Sequence, residues 1–426
     1  MIKIKIFYNL LRVATFPFSF FSYITIHRIG NFLGIIAFYL MPKYRKRTLS
    51  NLAMASDLKL SRKDIIKTAK KSFQNLAITV LEYPKFAKET DFSKIINCGN
   101  PDTAQEIYDK GKGIIFFCGH QANWETLFLD GNLRMKGVAI GKPTKNKILY
   151  KWIVSIREKT GGKIIPPKSA LKEGLKSLKK GMFLGIVGDQ GMPDSKYSYP
   201  FFGRKAWNST APALLAYKTN SPIIVATVLR KNHKYHIDYS NPIWPNITNS
   251  LENEIKRLMD KSLFLLQESI KKHPDQWLWQ HNRWKQQLPG KIKKRFRHDC
   301  LQIIMPDTLE KFNHATNYLP ILRKLYFNDF IILSLPQKYM DNFSLIQAEE
   351  INPYKKIQDV LIKDYRPKII FNFSTNKKIN KHFKKLSAFE VLTEKQLYKI
   401  ARKQFPDKTF ETSADLLMVS LCEKKT

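Results

Sequence analysis

Residues 111–125 read Gly111-Lys112-Gly113-Ile114-Ile115-Phe116-Phe117-Cys118-Gly119-His120-Gln121-Ala122-Asn123-Trp124-Glu125. The run from Gly113 to Cys118 is short, apolar and rich in β-branched and aromatic residues, which predicts a buried strand. It stops at Gly119, and His120 stands where the chain turns towards a helix. Three further runs of the same character are Ile164-Ile165, Met182 to Val187 and Ile223 to Leu229. Helical stretches separate them, so the expected architecture is α/β, with a parallel or mixed sheet flanked by helices. Catalytic groups in such sheets gather at the carboxyl ends of strands, which makes the turn at His120 the first place to look for chemistry.

Glu125 follows His120 by five residues. With the His in the turn and the Glu in the first helical turn, the carboxylate is expected to reach the imidazole. A neutral His held by a carboxylate is an oriented general base that can take a proton from a hydroxyl. The plainer reading is a half-buried His with an incidental Glu nearby.

Residues 6–42 are strongly apolar and aromatic, from Phe7 and Tyr8 through Phe16, Phe18, Phe20 and Phe21 to Phe38, Tyr39 and Leu40. A spanning helix needs about 20 uninterrupted apolar residues, and here Arg12, Pro17 and His27-Arg28 interrupt the run. The basic cluster Lys43, Arg45, Lys46 and Arg47 that follows suits an anionic cytoplasmic surface. Residues 1–47 are therefore expected to form a membrane anchor, embedded or interfacial, with one span or none; the alternative is a pair of core helices. No small-residue cleavage site follows, so a removed signal peptide is not expected.

Residues 48–96 have mixed three- and four-residue apolar spacing and a helix start at Ser61 with Asp64. Residues 251–272 form another amphipathic stretch. Pro289-Gly290, followed by Lys291, Lys293, Lys294, Arg295 and Arg297, marks the sharpest boundary. Beyond it a second series begins: strands at Leu301 to Met305, Phe330 to Leu335 and Ile369 to Phe373, with helical stretches at 309–326 and 377–404. The expected domains are an anchor segment at 1–47, a main catalytic domain at 48–290, and a smaller C-terminal α/β domain at 299–426 of unknown role.

The chain has 426 residues, 43 % of them hydrophobic, which excludes wholesale disorder and suggests two to three domains. Lys and Arg number 73 against 35 Asp and Glu, a formal charge of +38. Such an excess speaks of anionic partners. No recognition-helix, zinc-finger or RNP-type pattern is present, so a nucleic acid is not the expected one. The four cysteines, Cys98, Cys118, Cys300 and Cys422, are far apart, and no CxxC or HExxH occurs. Neither a metal site nor a disulfide framework is expected, and the compartment reads as reducing. P-loop, GxGxxG and GxSxG patterns are missing, which removes the commonest nucleotide-binding and serine-hydrolase readings.

Further blocks follow the His–four residues–Glu motif: Lys142-Pro143-Thr144-Lys145-Asn146, Arg157-Glu158-Lys159-Thr160-Gly161-Gly162, Gly188-Asp189-Gln190, Phe201-Phe202-Gly203-Arg204, and His273-Pro274-Asp275-Gln276-Trp277-Leu278-Trp279-Gln280-His281-Asn282-Arg283-Trp284-Lys285. In order and spacing the chain resembles the late lipid A acyltransferases, the lauroyl/myristoyl group, over roughly residues 10–288. The resemblance implies a glycerolipid-acyltransferase-like mixed sheet and transfer of a fatty acyl group from acyl carrier protein to a hydroxyacyl chain of a lipid A precursor. It implies His120 as general base and Glu125 as the orienting carboxylate, with no cofactor or metal. Lys142, Asn146, Arg157, Asp189, Gln190, Arg204 and Arg283 are the substrate-binding candidates. The implied location is the inner membrane, with the active site on the cytoplasmic side facing anionic lipid.

The chain departs from the family at Lys142, where an Arg usually precedes the Pro; Lys keeps the charge but loses the planar fork. The oxyanion donor is then Lys142, Arg157 or a backbone N–H near Gln121. Trp277, Trp279, His281 and Arg283 alternate with period two, as on one strand face. Asp189 reads either as a substrate contact or as a turn acid, and Phe201-Phe202 either as an acyl-chain wall or as core. Cys118 reads as a small core residue rather than a nucleophile. A lysophospholipid or glycolipid acyltransferase using acyl-CoA is the alternative function.

Overall fold

The computed structural model describes residues 12–287, 292–340 and 347–423. The expected boundary turn at Pro289-Gly290-Lys291, and the apolar residues Phe7 to Leu11, lie outside them. The chain folds into two compact units: Asp57–His281 with the segment ending at Met41, and Pro42–Ser56 with the segment beginning at Asn282.

In the first unit, helix α1 (Tyr23–Leu40) precedes the long helix α3 (Arg62–Lys88), helix α2 (Pro42–Met54) belonging to the second unit. Helix α3 starts as the sequence predicts, Ser61 Oγ accepting the Asp64 N–H at 3.2 Å. Gly30 and Gly34 let α1 approach α3 closely: a Cβ on Gly34 would lie 2.3 Å from the Gln74 Cα. Among the described residues α1 is the one helix long and apolar enough to cross a membrane. Its buried face is Ile26, His27, Gly30, Gly34 and Phe38, while Phe32, Ile35, Tyr39 and Leu40 are exposed.

A seven-stranded mixed sheet follows, built from β1 (Ile96–Cys98), α4 (Asp102–Asp109), β2 (Ile114–Cys118), α5 (Glu125–Arg134), β3 (Gly137–Ile140), α6 (Lys147–Arg157), β4 (Lys163–Ile165), α7 (Ala170–Lys179) and β5 (Phe183–Val187). The hairpin β6–β7 (Ser198–Phe201, Arg204–Trp207) stands apart as a two-stranded sheet. Helix α8 (Ala211–Thr219), β8 (Ile223–Lys231), β9 (Lys234–Tyr239) and α9 (Leu251–Lys272) complete the unit. The strand order is β1-β9-β8-β2-β5-β3-β4, parallel throughout except between β8 and β9. Burial of Ile114, Phe116, Phe183, Ile224 and Val228 in one cluster explains why these strands read as apolar runs. The short strands β1 and β3 escape a pattern reading because each has only three or four residues.

The second unit is an all-parallel five-stranded sheet in the order β12-β11-β10-β13-β14. Its elements are β10 (Cys300–Ile304), α10 (Leu309–Thr316), α11 (Leu319–Leu325), β11 (Phe330–Pro336), β12 (Glu350–Tyr354), β13 (Ile369–Asn372), α12 (Lys377–Lys385), β14 (Glu390–Leu392), α13 (Glu394–Gln404) and α14 (Ser413–Leu421). This is a doubly wound order, with helices on both faces. Alternate residues divide accordingly: Leu301, Ile303, Ile331 and Leu333 face one core, Ile304 and Ile370 the other. The stretch 377–404 reads as one helix, but the short strand β14 divides it in two.

Helix α2 is an integral part of this unit. Ser50 Oγ donates to the Arg366 carbonyl at 2.6 Å, Lys46 Nζ to the Ala388 carbonyl at 2.7 Å, and Lys368 Nζ to Asn51 Oδ1 at 2.9 Å. Met54 is buried with Cys300 and Ile332. The sequence limits assign residues 42–47 to an anchor and 48–56 to the catalytic domain; the structure packs the whole helix with the C-terminal sheet. Composition hides this, because the basic cluster that suits a lipid surface includes Lys46, which donates to the carbonyl of the buried Ala388.

Candidate active site

The site follows from strand register. β2 and β5 are parallel neighbours with Cys118 opposite Val187, and each strand runs on two residues to a polar side chain, His120 and Asp189. Glycine occupies the intervening position in both. A Cβ on Gly188 would lie 1.9 Å from the Phe117 ring, so only glycine lets the two strand ends come this close. The Gly188 N–H donates to the Cys118 carbonyl at 2.9 Å and completes the ladder.

His120 Nδ1 lies 2.7 Å from Asp189 Oδ1, and the His120 backbone N–H donates to Asp189 Oδ2 at 2.7 Å. Trp277 Nε1–H donates to the same Oδ2 at 2.7 Å. Asp189 is completely buried. Burial by itself raises its pKa, but the charge and hydrogen bonds of His120, with His281 nearby, outweigh it and hold the carboxyl well below its usual range. An ionised carboxylate only accepts, so Nδ1 carries a proton, and in the neutral imidazole Nε2 presents the lone pair. Trp124 packs edge-on against the imidazole with ring centroids 4.7 Å apart.

The turn is held from a second direction by residues 276–278. Ala122 adopts a left-handed φ of +43°, and its N–H donates to the Gln276 carbonyl at 2.7 Å. The Leu278 N–H donates to the His120 carbonyl at 3.1 Å. Trp277 and Trp279 are both fully buried, perpendicular, with centroids 4.6 Å apart. The period-two pattern predicts a strand here; the structure has a single bridge, Gln121 to Trp277, and then turns. Alternation in this stretch reflects indole packing rather than a pleat.

Glu125 does not hold the imidazole, contrary to the sequence expectation. Arg157 grips it with two bonds, Nε to Oε2 at 2.7 Å and a terminal nitrogen to Oε1 at 2.5 Å, and Tyr83 Oη donates to Oε1 at 2.6 Å. Burial opposes its charge, but Arg157 and Tyr83 more than compensate and lower its pKa. The physical reason lies in the chain direction. Glu125 is the first residue of α5 and points towards α3 and α6, whereas Asp189 sits on the adjoining strand. Asp189 is therefore the carboxylate at the imidazole, a role the sequence reading did not give it. The strand-plus-two spacing shared by His120 and Asp189 was the available signal, usable only once β2 and β5 are known to be neighbours.

The remaining candidates separate. Asn146 caps helix α6, its Oδ1 accepting from the Ile148 and Leu149 N–H groups at 3.1 Å. Lys142 and Gln190 are exposed. Arg204 is buried at the start of β7, next to the buried Phe201 and Phe202. Arg283 is fully buried and lies in the second unit. Of the three oxyanion donors considered, the Gln121 N–H is given to the Gly119 carbonyl at 2.9 Å, and Arg157 is engaged by Glu125. Lys142 makes no ion pair among the described residues. Burial, then the nearby Asp189 and Glu125, push the Cys118 thiol far up, which suits a core residue and not a thiolate nucleophile.

Comparison with curated proteins gives no significant match. Residues 6–286, well over half of the chain, match the family model for bacterial lipid A biosynthesis acyltransferases. That span takes in the first unit's sheet, the His120 turn and the tryptophan-bearing segment that braces it, and the chain belongs to the bacterial lipid A biosynthesis acyltransferase family.

Proposed function

We propose that the protein transfers a fatty acyl group from the thioester of acyl carrier protein to the hydroxyl of a hydroxyacyl chain on a lipid A precursor, with His120 as general base. The observation that carries this reading is the His120–Asp189 pair at adjoining strand ends in a chain of this family. Nε2 of His120 takes the hydroxyl proton as the oxygen attacks the thioester carbonyl. The new C–O bond forms, the C–S bond breaks, and the imidazolium returns the proton to the departing thiolate. Asp189 fixes the tautomer and stabilises the imidazolium; Glu125 fixes Arg157 and Tyr83 beside the turn instead. Lys142 serves the substrate's phosphate or the developing oxyanion, with Gln190 and Arg204 as further substrate contacts. No cofactor is invoked.

The exposed apolar face of α1, with Phe32, Ile35 and Leu40, supports attachment to the inner membrane with the site on its cytoplasmic side. The segment ending at Met41 would contribute the attachment, Asp57–His281 the chemistry, and the second unit, including helix α2 and residues 299–426, would be dispensable for the chemical step. Acyl-CoA with a lysophospholipid or glycolipid acceptor remains the second reading, and a donor comparison on purified protein separates the two. The decisive variant is His120→Ala. Turnover should fall about 10²–10⁴-fold while the protein still folds; more than a tenth of wild-type turnover would reject His120 as the base.

A further inference from the structure

Behind the His120 turn lies a buried polar network that the chemistry above does not use. Asn75, Thr79 and Glu82 are spaced along one face of α3. Asn75 Nδ2 donates to the Ala122 and Gln276 carbonyls at 3.2 and 3.1 Å, and Thr79 Oγ1 to the Ala122 carbonyl at 3.0 Å. Glu82, completely buried, accepts from Asn123 Nδ2 at 2.7 Å on one oxygen. Asn123 Oδ1 in turn accepts the Glu125 N–H at 3.3 Å and so fixes where α5 begins. Three consecutive steps of α3 thus hold the short segment between His120 and Glu125.

The other Glu82 oxygen faces α1. His27 Nε2 lies 2.7 Å from Oε1, and the Tyr235 hydroxyl sits across both carboxylate oxygens. His27 Nδ1 meets His233 Nδ1 at 2.8 Å in the β8–β9 turn. Arg230, on β8, reaches Asn75 Oδ1 and lies 3.4 Å from Tyr235 Oη. His27 sits on the face of α1 that Gly30 and Gly34 press against α3, so its reach to Glu82 depends on α1 being seated there. A buried carboxylate is costly unless every acceptor site is used, and here one of its donors comes from the catalytic motif and another from the apolar helix.

We propose that Glu82 is a positioning residue for acyl transfer: through Asn123 it holds the turn that carries His120, and through His27 it makes that hold depend on the seating of helix α1. The inference rests on the reading of His120 as base. A membrane-attached helix would then be connected to the catalytic turn by two hydrogen bonds on one carboxylate.

The test is Glu82→Gln in the full-length, detergent-solubilised protein, followed by the pH profile of kcat/KM. The amide cannot accept from Asn123, Tyr235 and His27 together, so the turn should loosen. The plateau should fall about 10- to 100-fold, the loss a misplaced catalytic group produces. The midpoint of the rising limb should move to lower pH by about half a unit, because a loosened His120–Asp189 bond supports the imidazolium less. A merely structural role would scale the profile without moving it, and an unmoved midpoint or an unchanged plateau overturns the proposal. Should Glu82→Gln fail to fold, Asn123→Ala breaks the same link from the turn side and is judged by the same shift. Retained turnover in His120→Ala would instead overturn the site reading itself, whereas an inactive His120→Ala beside an unmoved Glu82→Gln profile overturns only this inference.

Discussion

At the carboxyl ends of β2 and β5, two-residue extensions carry His120 and Asp189 into one hydrogen bond; at the carboxyl ends of β10 and β13, also parallel neighbours in register, the polar groups are spent locally. Asn372 bonds to the Asn376 carbonyl, to Asn380 and to Ser374, and the Met305 carbonyl accepts from Tyr354 Oη at 2.7 Å. Both sheets thus offer the kind of place where ligands bind in open α/β folds. Among the described residues, only the first brings a fully buried carboxylate against an imidazole whose other nitrogen is unspent. Parallel strand ends supply a location, and chemistry needs two side chains of opposite function at matched offsets.

The largest difference is expected when the two sheet ends are substituted in parallel. His120→Ala should cost about 10²–10⁴-fold in turnover, while Asn372→Ala in the second sheet should leave turnover unchanged; a loss from Asn372→Ala comparable with that from His120→Ala would mean that the second sheet end also takes part.

Next in size is Glu125→Gln. Its partner Arg157 loses a paired carboxylate in a largely buried place, and breaking such a pair costs about 3–5 kcal/mol. Chemical denaturation should show that loss, with a smaller fall in turnover among molecules that remain folded. Met54→Ala tests how far the second unit depends on a helix that precedes it by more than two hundred residues in the chain. Truncating a buried Met typically costs about 2–5 kcal/mol, and the loss should appear in the unfolding of the C-terminal unit. An unchanged transition would place α2 outside its core. The smallest effect is expected at Lys142: Ala there should lower kcat/KM severalfold by weakening attraction to an anionic substrate, and Arg should be tolerated.

Much of the first sheet was legible because β2, β5 and the first half of β8 are largely buried apolar runs, while the edge strand β4 shows as the pair Ile164-Ile165 although it is only half-buried. The amphipathic helix at 251–272 was legible for the complementary reason, its buried and exposed positions alternating with helical period. What escaped depends on neighbours that a linear reading does not have. Asp189 stands far from His120 in sequence, and only the pairing of β2 with β5 makes it the nearer carboxylate, while Glu125, five residues away, turns towards Arg157 and Tyr83. The same limit hid helix α2, whose Lys46 reads as part of a membrane cluster until its acceptor, the Ala388 carbonyl, is known. The alternation at Trp277 does not reveal that its indole N–H donates to Asp189.

In the mechanism proposed above, Asp189 and not Glu125 supports the His120 imidazole. Steady-state turnover of purified Asp189→Asn, measured beside Glu125→Gln, tests it most directly. The amide keeps the shape but removes the charge and can donate to Nδ1, which favours the tautomer that leaves Nε2 protonated and unable to act as a base. Turnover should fall about 10²–10⁴-fold in Asp189→Asn with the fold intact, and distinctly less in folded Glu125→Gln. Asp189→Asn retaining more than a tenth of wild-type turnover, while Glu125→Gln is inactive, would contradict it.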